Sequence, residues 1–435
     1  MSLSMVSERK RLRWHYYYIV AVVFLLQATG AFGIVDRLVY GAWAGKTGDK
    51  LTQSLNLIMF VTAFLLFWRA SRKRILVGGV LALALAGFLV LSAVWSVDPQ
   101  TTVRRGVIYL FFIIGAIGIA GSLDADEAMD VVRMTCGLCA AASIVLLVIS
   151  PSNVWSPSGL YGIFPSKNLL GEVMEVGILA SLYGIRTRRR HKRLSSIWTL
   201  ILFIIVAFLS RSTTSMLVIF VFCTLSGVIA LFRGGGNARI LGVFLSIVLI
   251  PTAVVVLLSP DWILGMTGKD PTLTGRTELW SYLLDDIQKK PILGWGFSAF
   301  WSGNNPAVME ISTALGWYIT QAHNNLLEML LEVGIVGTAF FLFLWARNVV
   351  LALRCMNTAA KELAQLLLLC SGGILLEGIS ESVLLETTIW VIMFFTIGLA
   401  CERAMRAPRR QRRPAALQVP RVEPMHPRET KFRTR

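Results

Sequence analysis

Charge and histidine are what this chain has least of. Charged residues make up 15% of 435 residues, and histidine occurs only at positions 15, 191, 323 and 426. Soluble domains carry about 25% charged residues, so an ordinary soluble enzyme is excluded. The histidines are too scattered for a metal centre, and His323 has no second His or Cys at ligand spacing; no metal and no cofactor is expected. The six cysteines (136, 139, 223, 355, 370 and 401) lie in or beside apolar runs and imply no disulfide framework. Cys136 and Cys139 have the spacing of a redox or metal pair, but within an apolar helix they read as two small packing residues. There is no Gly-x-Gly-x-x-Gly after a strand and no Walker loop. Asp124-Ala125-Asp126 has the form of the acidic triplet of nucleotide-sugar transferases, and equally suits a cap on a helix starting near Glu127.

Apolar residues are abundant: 55% of the chain, with a mean hydropathy of +0.66. Windows near the length that crosses a bilayer recur from end to end. Twelve are read, at 16–35, 51–68, 75–95, 106–121, 131–150, 169–185, 195–210, 213–232, 239–258, 326–346, 362–383 and 386–402. The expected fold is an all-α polytopic membrane protein of about twelve transmembrane helices, with one large periplasmic loop containing short helices. Arg9, Lys10, Arg11 and Arg13 resemble the basic start of a signal peptide, but no small-residue cleavage site follows, so an uncleaved first span is expected.

Net charge is +17, which invites nucleic acid as a partner, but the placement of charge argues otherwise. With a cytoplasmic N-terminus and alternating spans, 11 of the 42 basic residues fall outside and the other 31 inside. That is the positive-inside bias of an inner-membrane protein with both termini cytoplasmic, with some added attraction to anionic lipid. The expected organisation is a basic N-terminus (1–15), nine spans (16–258), a periplasmic loop domain (259–325), three spans (326–402) and a basic, Pro-rich, disordered tail (403–435).

The loop is the one long polar island. Thr274 or Gly275 offers a helix cap, Glu278 the first turn, Lys289 and Lys290 the last turn, and Pro291 a stop. Trp280, Leu283, Leu284 and Ile287 recur at helical spacing and predict an apolar face. Gly294-Trp295-Gly296 reads as a turn. Phe297, Phe300, Trp301, Trp317 and Tyr318 suit either an interfacial belt or sugar stacking.

Polar groups collect at the expected outer ends of the spans. They include Trp95–Pro99 with Arg104 and Arg105, Phe164–Asn168 with Lys167, the Ser210–Thr214 turn, Arg276, His323, and Glu377, Glu381 and Glu386. Ionisable groups at membrane depth are costly and mark function by default. Arg211, in a turn of very few residues, either snorkels to head groups or joins Ser212, Thr213 and Thr214 in an anion cradle. Arg276 at a helix start opposes the helix dipole unless it faces an anion. Two arginines suit a diphosphate, which guanidinium grips bidentately. His323, beside Asn324 and Asn325, is either a buried structural histidine or a base.

With these residues assembled, the chain resembles the O-antigen ligase and polysaccharide polymerase superfamily. The resemblance rests on Leu91–Pro99, Gly162–Gly171, Ser210-Arg211, Thr274–Trp280, Pro291–Phe297, His323–Asn325 and Glu332–Gly337. Many members carry His before Lys-Asn, where this chain has Ser166. Glu381–Glu386 and Thr274-Gly275-Arg276 look most like the exopolysaccharide-polymerase branch. The resemblance implies a metal-independent, inverting transfer of glycan from undecaprenyl diphosphate to an acceptor hydroxyl on a growing polymer or on lipid A-core. By position it implies Arg211 and Arg276 on the diphosphate and His323 as base. Arg104, Arg105, Lys167, Asn168, Asn324 and Glu381 are the substrate-binding candidates, and a chain-length regulator or export protein is the candidate partner. The competing class is a transporter of lipid-linked saccharide, which would set polar groups at the bilayer midplane on broken helices in matched halves.

Overall fold

Inside a bilayer no water satisfies backbone N–H and C=O groups, so an apolar run must close its hydrogen bonds within itself as a helix. The computed structural model of the protein follows that rule; it describes residues 3–40, 50–71, 75–186, 190–232, 235, 276–303 and 305–406. The helices are α1 (Leu3–Ala28), α2 (Gly33–Tyr40), α3 (Lys50–Ser71), α4 (Val77–Leu91), α5 (Pro99–Ser122), α6 (Ala125–Ile149), α7 (Pro151–Val154), α8 (Lys167–Arg186), α9 (Arg190–Ser210) and α10 (Thr213–Phe232). After residue 275 come α11 (Arg276–Lys289), α12 (Pro306–Leu315), α13 (Asn325–Cys355), α14 (Lys361–Glu377) and α15 (Ile389–Arg406). A two-residue hairpin, β1 (Trp155–Ser156) and β2 (Gly159–Leu160), is the only sheet among the described residues.

Eight of these helices are long and apolar enough to cross a membrane: those within α3, α4, α5, α6, α8, α9, α10 and α13. This is a multi-pass membrane protein. Of the other expected spans, 16–35 becomes the apolar stretch His15–Ala28, a turn at Gly30 (φ 72°) and the short α2. The spans at 362–383 and 386–402 appear as the shorter α14 and as α15, whose last turns carry Glu402, Arg403 and Arg406. The expected span 239–258, the cap residues Thr274 and Gly275, and the tail from 407 lie outside the described residues.

Chain order puts the ends of α1, α4, α6, α9 and α14 with the starts of α3, α5, α8, α10, α13 and α15 at one end of the bundle. The opposite end holds the basic residues and its own polar fastenings. There Glu402 accepts from the N–H groups of Val77 and Gly78 at 3.1 and 2.9 Å and pairs with Arg347 at 2.5 Å, closing the start of α4. Asp124 caps α6 in a reciprocal box with Glu127, which settles the acidic triplet as a helix start. Cys136 and Cys139 are buried in the core beside Phe203 and Thr29, as packing residues.

α13 is broken at Gly334, whose φ of 62° and ψ of −168° no helix contains. Residues 291–296 fill the break. Trp295 and Gly296 donate to the carbonyls of Leu331 and Glu332, and Ile335 and Val336 donate back to Pro291 and Ile292, all at 2.9–3.1 Å. Gly294 (φ 68°) and Gly334 leave no room for side chains: a Cβ would lie 2.5 Å from the Glu332 carbonyl carbon and 2.3 Å from the Ile292 oxygen respectively. The Trp95–Pro99 segment rests on the same strip, with Trp95 Nε1 donating to Leu293, Val97 N to Trp295, and Thr102 Oγ1 to Phe297. Three of the sequence motifs are therefore one interlocked unit.

Candidate functional site

At the end of the bundle where α8, α10, α11 and α13 begin and α14 stops, three separate segments converge on Glu381. Arg276, the first residue of α11, donates from Nη1 to the Ser380 carbonyl at 2.6 Å and pairs through Nη2 with Glu381 at 3.4 Å. Asn168, in the first turn of α8, donates to the same carboxylate oxygen at 2.6 Å. His323 Nδ1 stands 3.2 Å from the other oxygen, and the Gln321 amide lies 3.1 Å from that nitrogen. A carboxylate oxygen only accepts, so the Glu381 contact suits the tautomer with its proton on Nδ1 and its lone pair on Nε2. Glu381 is 5% exposed, while the side chains of Arg276 and His323 keep 18% and 22%. The carboxylate is thus buried behind two groups that remain accessible.

The peptide leading into His323 is clamped. Glu328, in the first turn of α13, accepts from the N–H of Ala322 at 2.6 Å, from Ser382 at 3.2 Å and from Trp301 Nε1. Trp280 Nε1 donates to the Ala322 carbonyl at 2.9 Å. Asn325 accepts from the N–H groups of Val383 and Leu384, fastening the start of α13 to the 378–388 connection that carries Glu381. Held this way, His323 sits at φ 52°, a left-handed conformation costly for a residue with a side chain. The described residues contain three non-glycine residues at positive φ: His323, Arg211 (53°) and Ser298 (55°). Two of the three are residues singled out from the sequence for chemistry.

Arg211 occupies the turn between α9 and α10, as its spacing predicts. The turn joins the centre through Thr214, whose hydroxyl meets that of Ser380 at 2.7 Å, one residue from Glu381. The Arg211 guanidinium donates to the Pro157 carbonyl at 3.1 Å and lies 5.5 Å over the Trp155 ring, beside a cavity of about 390 Å³. Lys167 donates to the next carbonyl of the same hairpin, Ser158, at 3.1 Å. Of the expected cradle hydroxyls, Ser212 caps α10 by accepting from Ser215 N at 3.4 Å, and Thr214 is held by Ser380. The groups this turn presents are the guanidinium and the first N–H groups of α10.

Other candidates fall elsewhere. Asn324 caps α13, accepting from Leu326 and Leu327 at 3.0 and 3.1 Å, and donates to Ile379; it shapes the site. Arg104 and Arg105 stand apart from Glu381 and line a different cavity. Phe297 and Phe300 are neither belt nor stacking platform but core, 2% and 0% exposed, because the 291–297 strip folds inward against α13. On α11 the buried face is Leu279, Leu283 and Ile287, whereas Leu284 is 48% exposed.

The sequence reading missed Glu328, Glu172 and Glu175. The carboxyl oxygens of Glu175 and Glu377, and one of Glu172, are buried without a hydrogen-bond partner among the described residues. Glu172 and Glu175, three apart within the apolar window 169–185, carried a signal: acids inside a span. Glu328, inside the apolar window 326–346, carried the same signal, although its partners Trp301 and Ser382 lie 27 and 54 residues away.

Residues 198–342 match the model of the O-antigen ligase family. The chain is 28% identical over 291 residues to an exopolysaccharide production protein of Rhizobium meliloti (strain 1021), covering 58% of this chain and 62% of that one. It is 34% identical over 77 residues to a Rickettsia prowazekii (strain Madrid E) protein whose name places it provisionally among the polysaccharide ligases, covering 17% of this chain and 19% of that one. The chain therefore spans less than two thirds of the length of either relative. The matched segment contains Arg211, Arg276, His323 and the break at Gly334. This is a polytopic membrane protein whose residues 198–342 match the model of the O-antigen ligase family.

Proposed function

We propose that the protein is a membrane glycosyltransferase acting at the outer face of the bacterial inner membrane. It moves a glycan from undecaprenyl diphosphate to an acceptor sugar hydroxyl, with inversion and without a metal ion. The observation that carries this reading is the convergence of Arg276, His323 and Asn168 on Glu381, one hydrogen-bonded step from the Arg211 turn. A diphosphate leaves without a general acid, but its growing charge needs cations already in place, and the two guanidinium groups are the cations at hand. An alcohol attacks poorly until a base removes its proton, and Nε2 of His323 has the free lone pair. The acceptor oxygen forms its bond to the anomeric carbon from the face opposite the diphosphate as the carbon–oxygen bond to phosphate breaks. The proton passes to Nε2, and the electron pair leaves on the diphosphate. The basic end of the bundle, opposite the site, supports a cytoplasmic location for that end and a periplasmic one for the site.

Polymerisation of exopolysaccharide or O-antigen repeat units is the favoured reaction, supported by the similarity to an exopolysaccharide production protein over 291 residues. Ligation to lipid A-core is the second reading, supported by the family match and the shorter similarity to a named ligase. A transporter is disfavoured, since the broken α13 has its freed backbone groups taken up by residues 291–296 and not left facing a ligand. The test is single replacement of Arg211, Arg276 and His323 by Ala. Membrane levels should hold while product disappears; full product in all three removes the assignment. In a deletion strain, loss of high-mass secreted polymer alone supports the polymerase, and loss of capped lipopolysaccharide alone supports the ligase.

A further inference from the structure

A second polar cavity lies at the same end of the bundle, beside the 378–388 connection, and neither Arg276 nor His323 lines it. It measures about 290 Å³, and its polar lining is Gln27, Thr52, Gln53, Asn56, Arg104, Arg105 and Thr387. These come from the end of α1, the start of α3, the start of α5, and the connection that also carries Glu381. Neither Arg104 nor Arg105 makes a hydrogen bond or an ion pair within the described residues; the carboxylates whose charge reaches Arg105 are Glu386 and Glu332. Two adjacent guanidinium groups repel each other, so holding both at one cavity without a bonded carboxylate is unfavourable until an anion arrives. Guanidinium grips a carboxylate through paired N–H groups. The three side-chain amides and the two threonine hydroxyls are groups of both donor and acceptor character, which is what vicinal sugar hydroxyls need.

The volume is at the lower limit of small-ligand clefts, which hold about 300–1,000 Å³, so it admits one sugar residue and not a folded polymer. A lipid headgroup would bring acyl chains and would gain nothing from so many amides.

We propose that this cavity is a recognition subsite for a carboxylate-bearing sugar residue of the glycan, with Arg104 and Arg105 taking the carboxylate and Gln27, Gln53 and Asn56 the hydroxyls. It deepens the glycosyl-transfer reading and rests on it for the identity of the substrate as a glycan. The subsite selects which repeat unit is presented to His323; it takes no part in the chemistry.

The test is direct binding to the full-length protein in phosphatidylcholine nanodiscs. The probes are a soluble uronic-acid oligosaccharide and its carboxyl-reduced neutral form, followed by saturation-transfer NMR and calorimetry. The acidic probe should bind at least ~10-fold tighter than the neutral one, the scale of one charge-assisted hydrogen bond. The Arg104→Ala/Arg105→Ala pair should abolish that difference, Arg104→Lys/Arg105→Lys should keep part of it, and Asn56→Ala should weaken both probes alike. Equal affinity for the two probes, or an undiminished preference in the double-alanine protein at unchanged melting temperature, overturns the proposal. So does full displacement of the acidic probe by phosphatidylglycerol in the nanodisc, which would assign the cavity to lipid. His323→Ala should bind the acidic probe normally. Loss of transfer in that variant together with absent probe binding in the wild type defeats the subsite alone, whereas probe binding with transfer intact in His323→Ala defeats the catalytic reading alone.

Discussion

Replacing Glu381 by Gln strikes the point on which the proposed mechanism turns. The substitution keeps shape and volume but removes a charge that meets Arg276 at 3.4 Å, His323 Nδ1 at 3.2 Å and Asn168 at 2.6 Å. A glutamine amide would turn its nitrogen toward Arg276 or toward His323, or leave the imidazole free to place its proton on Nε2, where it blocks the base. Hydrogen bonds to charged groups contribute about 1.5–3 kcal/mol each, or roughly ten- to a hundredfold in rate per contact if realised in the transition state. The Arg276 contact is long and partly solvated, so we take the His323 contact as dominant. Glu381→Gln should then lower kcat about 100-fold with KM changed less than about threefold. Glu381→Asp, which keeps the charge but withdraws it by one methylene, should lie between. The assay is the rate at which membranes with matched protein levels consume a lipid-linked oligosaccharide as its concentration is varied. A merely structural role would reduce protein level or move KM, not kcat alone. Glu381→Gln within about threefold of wild-type kcat at matched level refutes the argument.

Other outcomes follow from particular residues. Arg211→Gly removes the guanidinium but relieves the backbone at φ 53°; melting temperature should hold or rise slightly while transfer falls at least ~10-fold. Gly334→Ala places a Cβ 2.3 Å from the Ile292 carbonyl and should lower the melting temperature or abolish accumulation. Gly227→Ala, in mid-helix with open space around it, should be neutral or stabilising by about 0.5–1 kcal/mol, as read by thermal unfolding. Tyr161 receives hydrogen bonds from Ser156 and Ser158, which lower its phenol from the ordinary 10.0. Its ionised form is favoured in the folded state, so it adds stability above that range that is lost as pH falls through the lowered value. Compared with Tyr161→Phe between about pH 8 and 10, wild type should gain in melting temperature with rising pH.

The sequence disclosed what local physics decides. Apolar runs had to be helices, Asp124 had the chemistry of a cap, and the spacing around Arg211 left room only for a turn. Arg276 and His323 were conspicuous as charge and imidazole beside membrane spans. What sequence could not disclose was convergence: nothing local says that Asn168, Arg276 and His323 share one carboxylate 58 to 213 residues away. For the same reason Arg104 and Arg105 were grouped with the others, although the fold gives them a separate cavity, and Asn324 was read as a ligand when it is a helix cap. Phe297 and Phe300 looked like surface aromatics because a succession of turns shows no periodicity from which burial could be read.

The interruption at Gly334 also constrains how the molecule can be assembled. Before α13 is fully packed, its two halves have raw ends at the break, and the groups that saturate them belong to residues 291–296, upstream in the chain. The helix cannot mature until that strip folds back against it. Assembly thus ties the completion of one long helix to the placing of a non-helical peptide, and the His323 clamp, built on the first turn of the same helix, depends on that docking.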